Sequence, residues 1–216
     1  MKRMRIGWLV LLLAALALQM ARAAEPFQAG RHYIELPIPQ PVETGDKIEL
    51  REFFWYGCPH CYSLEPALNV YVKKLPANVR FVRTPGVAPH WLIHGQAFYT
   101  FEMLGVTEKL HAPFFEAWHT KNRPFNNEAS IAEFAAERGV DKTKFKDAFN
   151  SFAVRTRLER ARQLNVGYMV DSVPALAVDG RYLTSPAAAG GEEAMFKVAD
   201  FLIRKAVTER KKSPAR

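Results

Sequence analysis

Cysteine is nearly absent from this chain: there are two in 216 residues. A framework of several disulfides is excluded. A four-ligand zinc site would have to take two of its ligands from elsewhere. Strong charge is scarce as well. The 30 basic and 22 acidic side chains leave +8, and four of the basic ones (Lys2, Arg3, Arg5, Arg22) stand in the first two dozen residues. Without that segment the balance is 26 to 22, or +4. Much of the excess lies at Arg210, Lys211, Lys212 and Arg216, which read as a fraying basic tail. Clustered basic residues interleaved with stacking aromatics are missing, which argues against nucleic-acid binding. There is no internal repeat and no low-complexity run.

The one long apolar run is at the start. Lys2, Arg3 and Arg5 precede the apolar stretch Gly7 to Leu18, and Ala21-Arg22-Ala23 supplies small residues where a signal peptidase reads them. The run is shorter than the roughly 20 residues that span a bilayer. Residues 1–23 are expected to be a signal peptide, cleaved after Ala23 or, as second choice, Ala24. Export places the cysteines in an oxidising compartment. Roughly 190 mature residues are enough to bury a core without staples.

What is present is a strand-to-helix junction carrying both sulfurs. Ile48–Tyr56 reads as a strand, mostly apolar and ending at Gly57. Pro59 to Lys74 reads as a helix, with proline at a favourable first position, Leu64, Leu68, Val72 and Leu75 at helical spacing, and a kink expected at Pro66. Cys58 and Cys61 sit at its start. A short strand near Tyr33–Leu36 precedes, followed by an extended arm through Pro37, Pro39 and Pro41. Val79–Thr84 is a further strand.

From Ala88 to Asn165 only helical periods occur: Gln96–Leu104, Glu108–Trp118, Asn127–Arg138, Lys142–Asn150 and Phe152–Leu164. Then Ala175–Val178, the turn Asp179-Gly180 and Arg181–Leu183 read as a hairpin. Glu192–Arg204 is a last helix. The order implies an α/β fold, one mixed sheet flanked by helices with an all-helical insertion that forms a second lobe. The expected division is 24–87, 88–166 for the insertion, and 167–216.

Two cysteines three apart on a helix face the same way and can bond reversibly. Cys58, at the helix start, is expected to be the exposed thiolate and nucleophile, favoured by free backbone N–H groups, the helix dipole and His60. Cys61, a turn inside, is expected to be the buried resolving thiol. Stabilising the thiolate stabilises the dithiol and makes the disulfide a stronger oxidant. A loop this short adds little stability when closed, so stapling explains the pair poorly, though an inert bridge stays open. For zinc, His32, His90, His94, His111 and His119 show no paired ligand spacing near the cysteines. Attachment of a c-type haem needs His where Tyr62 stands.

The segment Glu52-Phe53-Phe54-Trp55-Tyr56-Gly57-Cys58-Pro59-His60-Cys61-Tyr62 resembles the active site of the DsbA family of periplasmic thiol:disulfide interchange proteins, whose typical dipeptide is Pro59-His60. Ser172-Val173-Pro174-Ala175-Leu176 is the second match. The resemblance implies a thioredoxin-like fold with a helical insertion and a cis peptide bond at Pro174 facing the cysteines. It also implies contact of Val173 with the sulfurs and a Cys58–Cys61 disulfide that is donated to exported proteins with free cysteines. Reoxidation by a quinone-linked membrane partner like DsbB follows from it, with no cofactor or metal and a monomeric protein. Thr84-Pro85-Gly86 departs from the best-known pattern.

Glu52 shares strand parity with Ile48, Leu50 and Phe54, so it is expected to point with the apolar set. The resemblance places it beneath Cys61, exchanging a proton, with Arg83 as partner. Phe98, Phe101, Phe114, Phe115, Trp118, Phe149 and Phe152 are expected in the core. His90-Trp91 is either a groove wall or core, and His94, His111 and His119 are expected at the surface or at caps. The alternatives are a disulfide isomerase or reductase of the same compartment, and an exported thiol-based metal-binding protein.

Overall fold

A computed structural model describes residues 25–212 of the chain. The expected signal peptide, its cleavage site and Arg216 lie outside the described residues.

Five strands form one mixed sheet in the order β1-β5-β4-β2-β3. The central strand β2 (Ile48–Phe54) pairs in parallel with β3 (Val79–Pro85) and antiparallel with β4 (Ala175–Val178). β4 pairs antiparallel with β5 (Tyr182–Thr184), and β5 with the two-residue β1 (Ile34–Glu35). Every residue of β2 is buried, as a central strand covered on both faces must be. The strand ends two residues before the expected Tyr56. Trp55 and Tyr56 turn instead, closed by the Cys58 N–H on the Trp55 carbonyl at 3.0 Å.

Helix α1 (Pro59–Val72) connects β2 to β3 and continues through the exposed Pro66 rather than ending there. Between β3 and β4 come a 3₁₀ turn at Pro89–Trp91 and helices α2 (Leu92–Met103), α3 (Thr107–His119), α4 (Glu128–Ala136), α5 (Lys142–Phe149) and α6 (Phe152–Gly167). Three of these helices start at side-chain caps: Asn127, Asp141 and Ser151 each accept from the N–H three residues on. Two helices follow β5: the short α7 (Pro186–Ala189), which the periodicity did not signal, and α8 (Glu192–Lys212).

Helix α8 runs about two turns beyond the expected Arg204. The expected fraying tail is in part the last turn of this helix: Arg210 pairs with Asp179 in the hairpin turn, Nε to Oδ2 at 2.9 Å, and donates to the Gly45 carbonyl at 3.1 Å. No helix among the described residues is long and apolar enough to cross a membrane.

One apolar cluster lies between the sheet and helices α1 and α8, around Leu50, Leu64, Leu68, Val178 and Leu202. A smaller one covers the opposite face through Phe53, Leu164 and Tyr168. The third belongs to the helices between β3 and β4, with Phe98, Phe101, Phe114, Phe125 and Phe134, and it also takes in Phe54, Tyr56, Cys58 and Cys61. The turn that carries both cysteines is thereby packed into the core of the helical block. Phe152 is a correction: it opens α6 at 77% exposure and belongs to no core.

Candidate active site

Cys58 is the N-cap residue of α1, with Pro59 at the first helical position. Gly57 lets the chain make the turn, because a Cβ there would lie 2.2 Å from a ring carbon of Trp55. Both thiols are free, and the two differ in burial as expected in order, though Cys58 is less open than expected: it is 7% exposed and Cys61 is 0%. The Cys58 pKa is lowered to about 6. The main cause is a hydrogen bond from the Cys61 side chain. Burial opposes it, and the backbone N–H groups of Cys61 and His60 and the charge of His60 add to it. The Cys61 thiol therefore outweighs His60 as the stabiliser of the anion. Burial, and next the hydrogen bond with Cys58, push the Cys61 thiol up. Two identical side chains three residues apart are thus driven in opposite directions.

The loop before β4 faces them. The Val173–Pro174 peptide is cis, and the Cys58 thiol lies 3.4 Å from the Val173 carbonyl, which accepts from it. His60, Val173, Pro174, Pro186 and Glu192 line a hollow of about 290 Å³ beside the sulfur, most of it apolar. A larger hollow of about 530 Å³, lined by Arg80, Phe81, Tyr99, Glu102 and Arg160 among others, includes neither His60 nor the Val173-Pro174 pair. The smaller one lies next to the Cys58 thiol, since the Val173 residue whose carbonyl accepts from it is part of the lining, and it is the candidate substrate hollow. On the other flank Trp91 stacks on Trp55 at 4.7 Å and 14°, half-buried, with His90 exposed beside them. Gly86 permits this: its N–H extends the β2–β3 pairing to the Phe54 carbonyl at 2.7 Å, and a Cβ there would lie 2.8 Å from the Trp91 ring.

Glu52 is 1% exposed and pairs with Arg83, Nε to Oε2 at 2.9 Å, while its Oε1 has no partner. Burial pushes its pKa up to about 7 against the pull of Arg83, and its charge in turn raises Cys61. Strand parity placed this carboxylate correctly. It missed the opposite face, where Arg51 and Glu49 form a second buried pair at 2.8 Å.

Residues to which the sequence gave no role at the site complete it. Glu65 is buried on α1 and accepts from Arg83 at 3.1 Å, from Asn69 at 3.0 Å and from His111 Nε2 at 2.6 Å. The Tyr56 hydroxyl meets His111 Nδ1 at 2.8 Å. His111 is therefore neither a surface nor a cap residue, and His94 is not either: both are buried. Burial lowers the pKa of His94 to about 4, and the ring lies edge-on to Trp118 at 4.7 Å. His119 is half-buried; its Nε2 binds the Tyr56 carbonyl at 2.9 Å and its ring lies flat on Tyr62 at 4.8 Å. Helical spacing carried a signal for some of these. Glu65 stands four residues after Cys61 and three before Leu68, and His111 three before Phe114, each on the buried face of its helix. Among the described residues no group of three or more His, Cys, Asp or Glu side chains is arranged to hold a metal ion.

Comparison with known proteins agrees with this geometry. A family model described as a DSBA-like thioredoxin domain matches residues 94–202. The thiol:disulfide interchange protein DsbA of Pseudomonas aeruginosa is 44% identical over 187 residues, 86% of this chain and 89% of the relative. That of Burkholderia cepacia is 38% identical over 206 residues, covering 94% and 97%. The crystal structure of Pseudomonas aeruginosa DsbA superposes with a TM-score of 0.83 at 43% identity, over 87% of this chain and 98% of that one.

Proposed function

The chain belongs to the DsbA family of thiol:disulfide interchange proteins, and from that premise we propose that Cys58 and Cys61 are the redox pair of a periplasmic dithiol oxidase. Its fold is thioredoxin-like, and its activity is that of a thiol:disulfide oxidoreductase. In the oxidised state the two sulfurs are bonded to each other. A client thiolate attacks Cys58 Sγ, the Cys58–Cys61 bond breaks, and Cys61 leaves as a thiolate. Burial disfavours that anion, so it takes a proton, for which Glu52 is the source. A second client thiolate then attacks the client sulfur of the mixed disulfide, and Cys58 departs as the stabilised thiolate. The client gains one disulfide and the protein is left as a dithiol.

The single observation that carries this reading is the Cys58 thiol held near pKa 6 at a helix start. A sulfur that leaves so readily as an anion makes its disulfide a strong oxidant. Pro59 opens the helix at the position that exposes these N–H groups, and His60 adds positive charge. Val173 and Pro174 present a backbone edge to which an extended client segment can pair. Exported proteins with free cysteines are the clients. A quinone-linked membrane protein resembling DsbB restores the disulfide, and the protein acts as a monomer after removal of residues 1–23.

The test is a pair of variants assayed for oxidation of a reduced peptide. Cys58→Ser is expected to abolish the activity, and Cys61→Ser to accumulate mixed disulfides with the peptide. Full oxidase activity in Cys58→Ser refutes the assignment. Titration of the thiolate ultraviolet absorbance is expected to give a midpoint near 6.

A further inference from the structure

Two buried carboxylates share one guanidinium. Arg83 donates through Nε to Glu52 and through Nη2 to Glu65 at 3.1 and 3.3 Å. Their other partners are unequal. Glu52 has no second partner, and its Oε1 is buried and empty-handed. Glu65 has two more: Asn69 Nδ2 at 3.0 Å from its own helix and His111 Nε2 at 2.6 Å from α3. The His111 bond is the shortest of the set. It also fixes the ring's proton. A carboxylate only accepts, so Nε2 must be the N–H, and in a neutral ring Nδ1 is then the acceptor of the Tyr56 hydroxyl. Burial lowers the His111 pKa, which keeps the ring neutral.

We propose that His111 is a positioning residue for the proton step at Glu52: by anchoring the Glu65 carboxylate it leaves Arg83 on Glu52, and so sets the pH at which Glu52 gives up its proton. The inference rests on the reading of Glu52 as the proton source for Cys61. Its logic is competition for Arg83. Deprived of the His111 N–H, Glu65 draws the guanidinium closer. Glu52 then loses part of the one interaction that favours its anion, and it holds its proton to higher pH.

The groups facing Glu52 and its partners come from every packed element: Arg83 on β3, Cys61 and Glu65 on α1, Cys58 at its N-cap, Tyr56 in the turn, and His111 on α3. Glu102 on α2 and Glu108 on α3 act at longer range. The Glu65 pKa is consistent with its role. Burial raises it, but the His111 hydrogen bond and the nearby charges overcome that and hold it below the ordinary carboxylate value.

The two ring nitrogens allow a clean dissection. Gln places its N–H near the position of His Nε2, and Asn near Nδ1. His111→Gln keeps the donor to Glu65 and loses the Tyr56 partner; His111→Asn does the reverse. The readout is the infrared carbonyl band of protonated Glu52 in the full-length reduced protein, assigned by its disappearance in Glu52→Gln and titrated with pH. The expected midpoint is near the wild-type value in His111→Gln and about one unit higher in His111→Asn.

Equal midpoints in the two variants overturn the proposal. A merely structural histidine would lower the melting temperature of both while leaving the band's titration in place. Nitrogen NMR of the wild-type imidazole needs no variant: the Nε2–H tautomer is expected, and the Nδ1–H tautomer overturns the proposal. None of these measurements involves a client, so their failure is distinguishable from failure of the oxidase reading, which the cysteine variants test.

Discussion

Cys58 and Cys61 are the same chemical group, and they differ because hydrogen-bond donors reach Cys58 while burial dominates at Cys61. The lowering of Cys58 is led by the Cys61 side chain, with the N–H groups of the first helical turn next and the charge of His60 after them. The ranking gives a prediction at this scale. Cys61→Ala is expected to raise the Cys58 midpoint more than His60→Ala does, both read by thiolate absorbance. The reverse order would make His60 the principal stabiliser. The sulfurs, His60 and the Val173-Pro174 pair were legible because a rare residue type and a local motif mark them. The Glu65–His111–Tyr56 chain was not. Its members are 46 and 55 residues apart in sequence, and polar residues on an apolar helix face read equally well as surface positions until a partner is in view. His94 and His111 were misjudged for that reason.

At the scale of elements, the hairpin that follows Pro174 shows how far local chemistry reaches. Asp179 and Gly180 take φ of 54° and 70°, the left-handed pair that a two-residue hairpin turn needs. Gly180 meets a second demand: a Cβ there would lie 2.1 Å from the Gln40 carbonyl oxygen. Gly180→Ala is therefore expected to destabilise the protein by more than about 1 kcal/mol, measured by urea unfolding, since strain and collision add. A cost within error would mean that the arm at Gln40 yields freely. Type and order of the elements followed from periodicity, but their ends did not. β2 stops early because Trp55 and Tyr56 turn into the helical core, and α8 runs on because Arg210 is tied to the hairpin. The short α7, four residues long, and the 3₁₀ turn at Pro89–Trp91 gave no signal. The extended arm was readable from its three prolines, yet what it buttresses was not.

For the whole molecule, pH links the redox state to stability. Cys58 ionises near 6 in the fold and near 9 when unfolded. A depressed thiol stabilises the reduced fold above pH 9, and that contribution is lost as pH falls through 6. The raised Cys61 works the other way only above about 9, where the unfolded chain would ionise it. Glu52, raised from 4.5 to about 7, favours the fold at low pH and loses that contribution by about pH 7, mostly below the window in which Cys58 acts. The stability of the reduced form relative to the oxidised form is thus expected to climb between pH 6 and 9, by at most about 1.4 kcal/mol per unit. Denaturant unfolding of both forms across that range checks it, and a flat difference refutes the ionised Cys58.

A second expectation concerns the C-terminal helix. Arg210→Ala is expected to cost about 1 kcal/mol in low salt and less in high salt, because its partner Asp179 is largely buried while Arg210 is partly exposed. By itself the sequence determined the cysteine pair, its place at a helix start, the mixed sheet and the helical insertion, because each is written in neighbouring residues. Tertiary structure decided which polar side chains are buried together and that Cys61, more than His60, stabilises the Cys58 anion. Burial and hydrogen bonding between distant segments set those outcomes, and no local pattern encodes the distance between two segments.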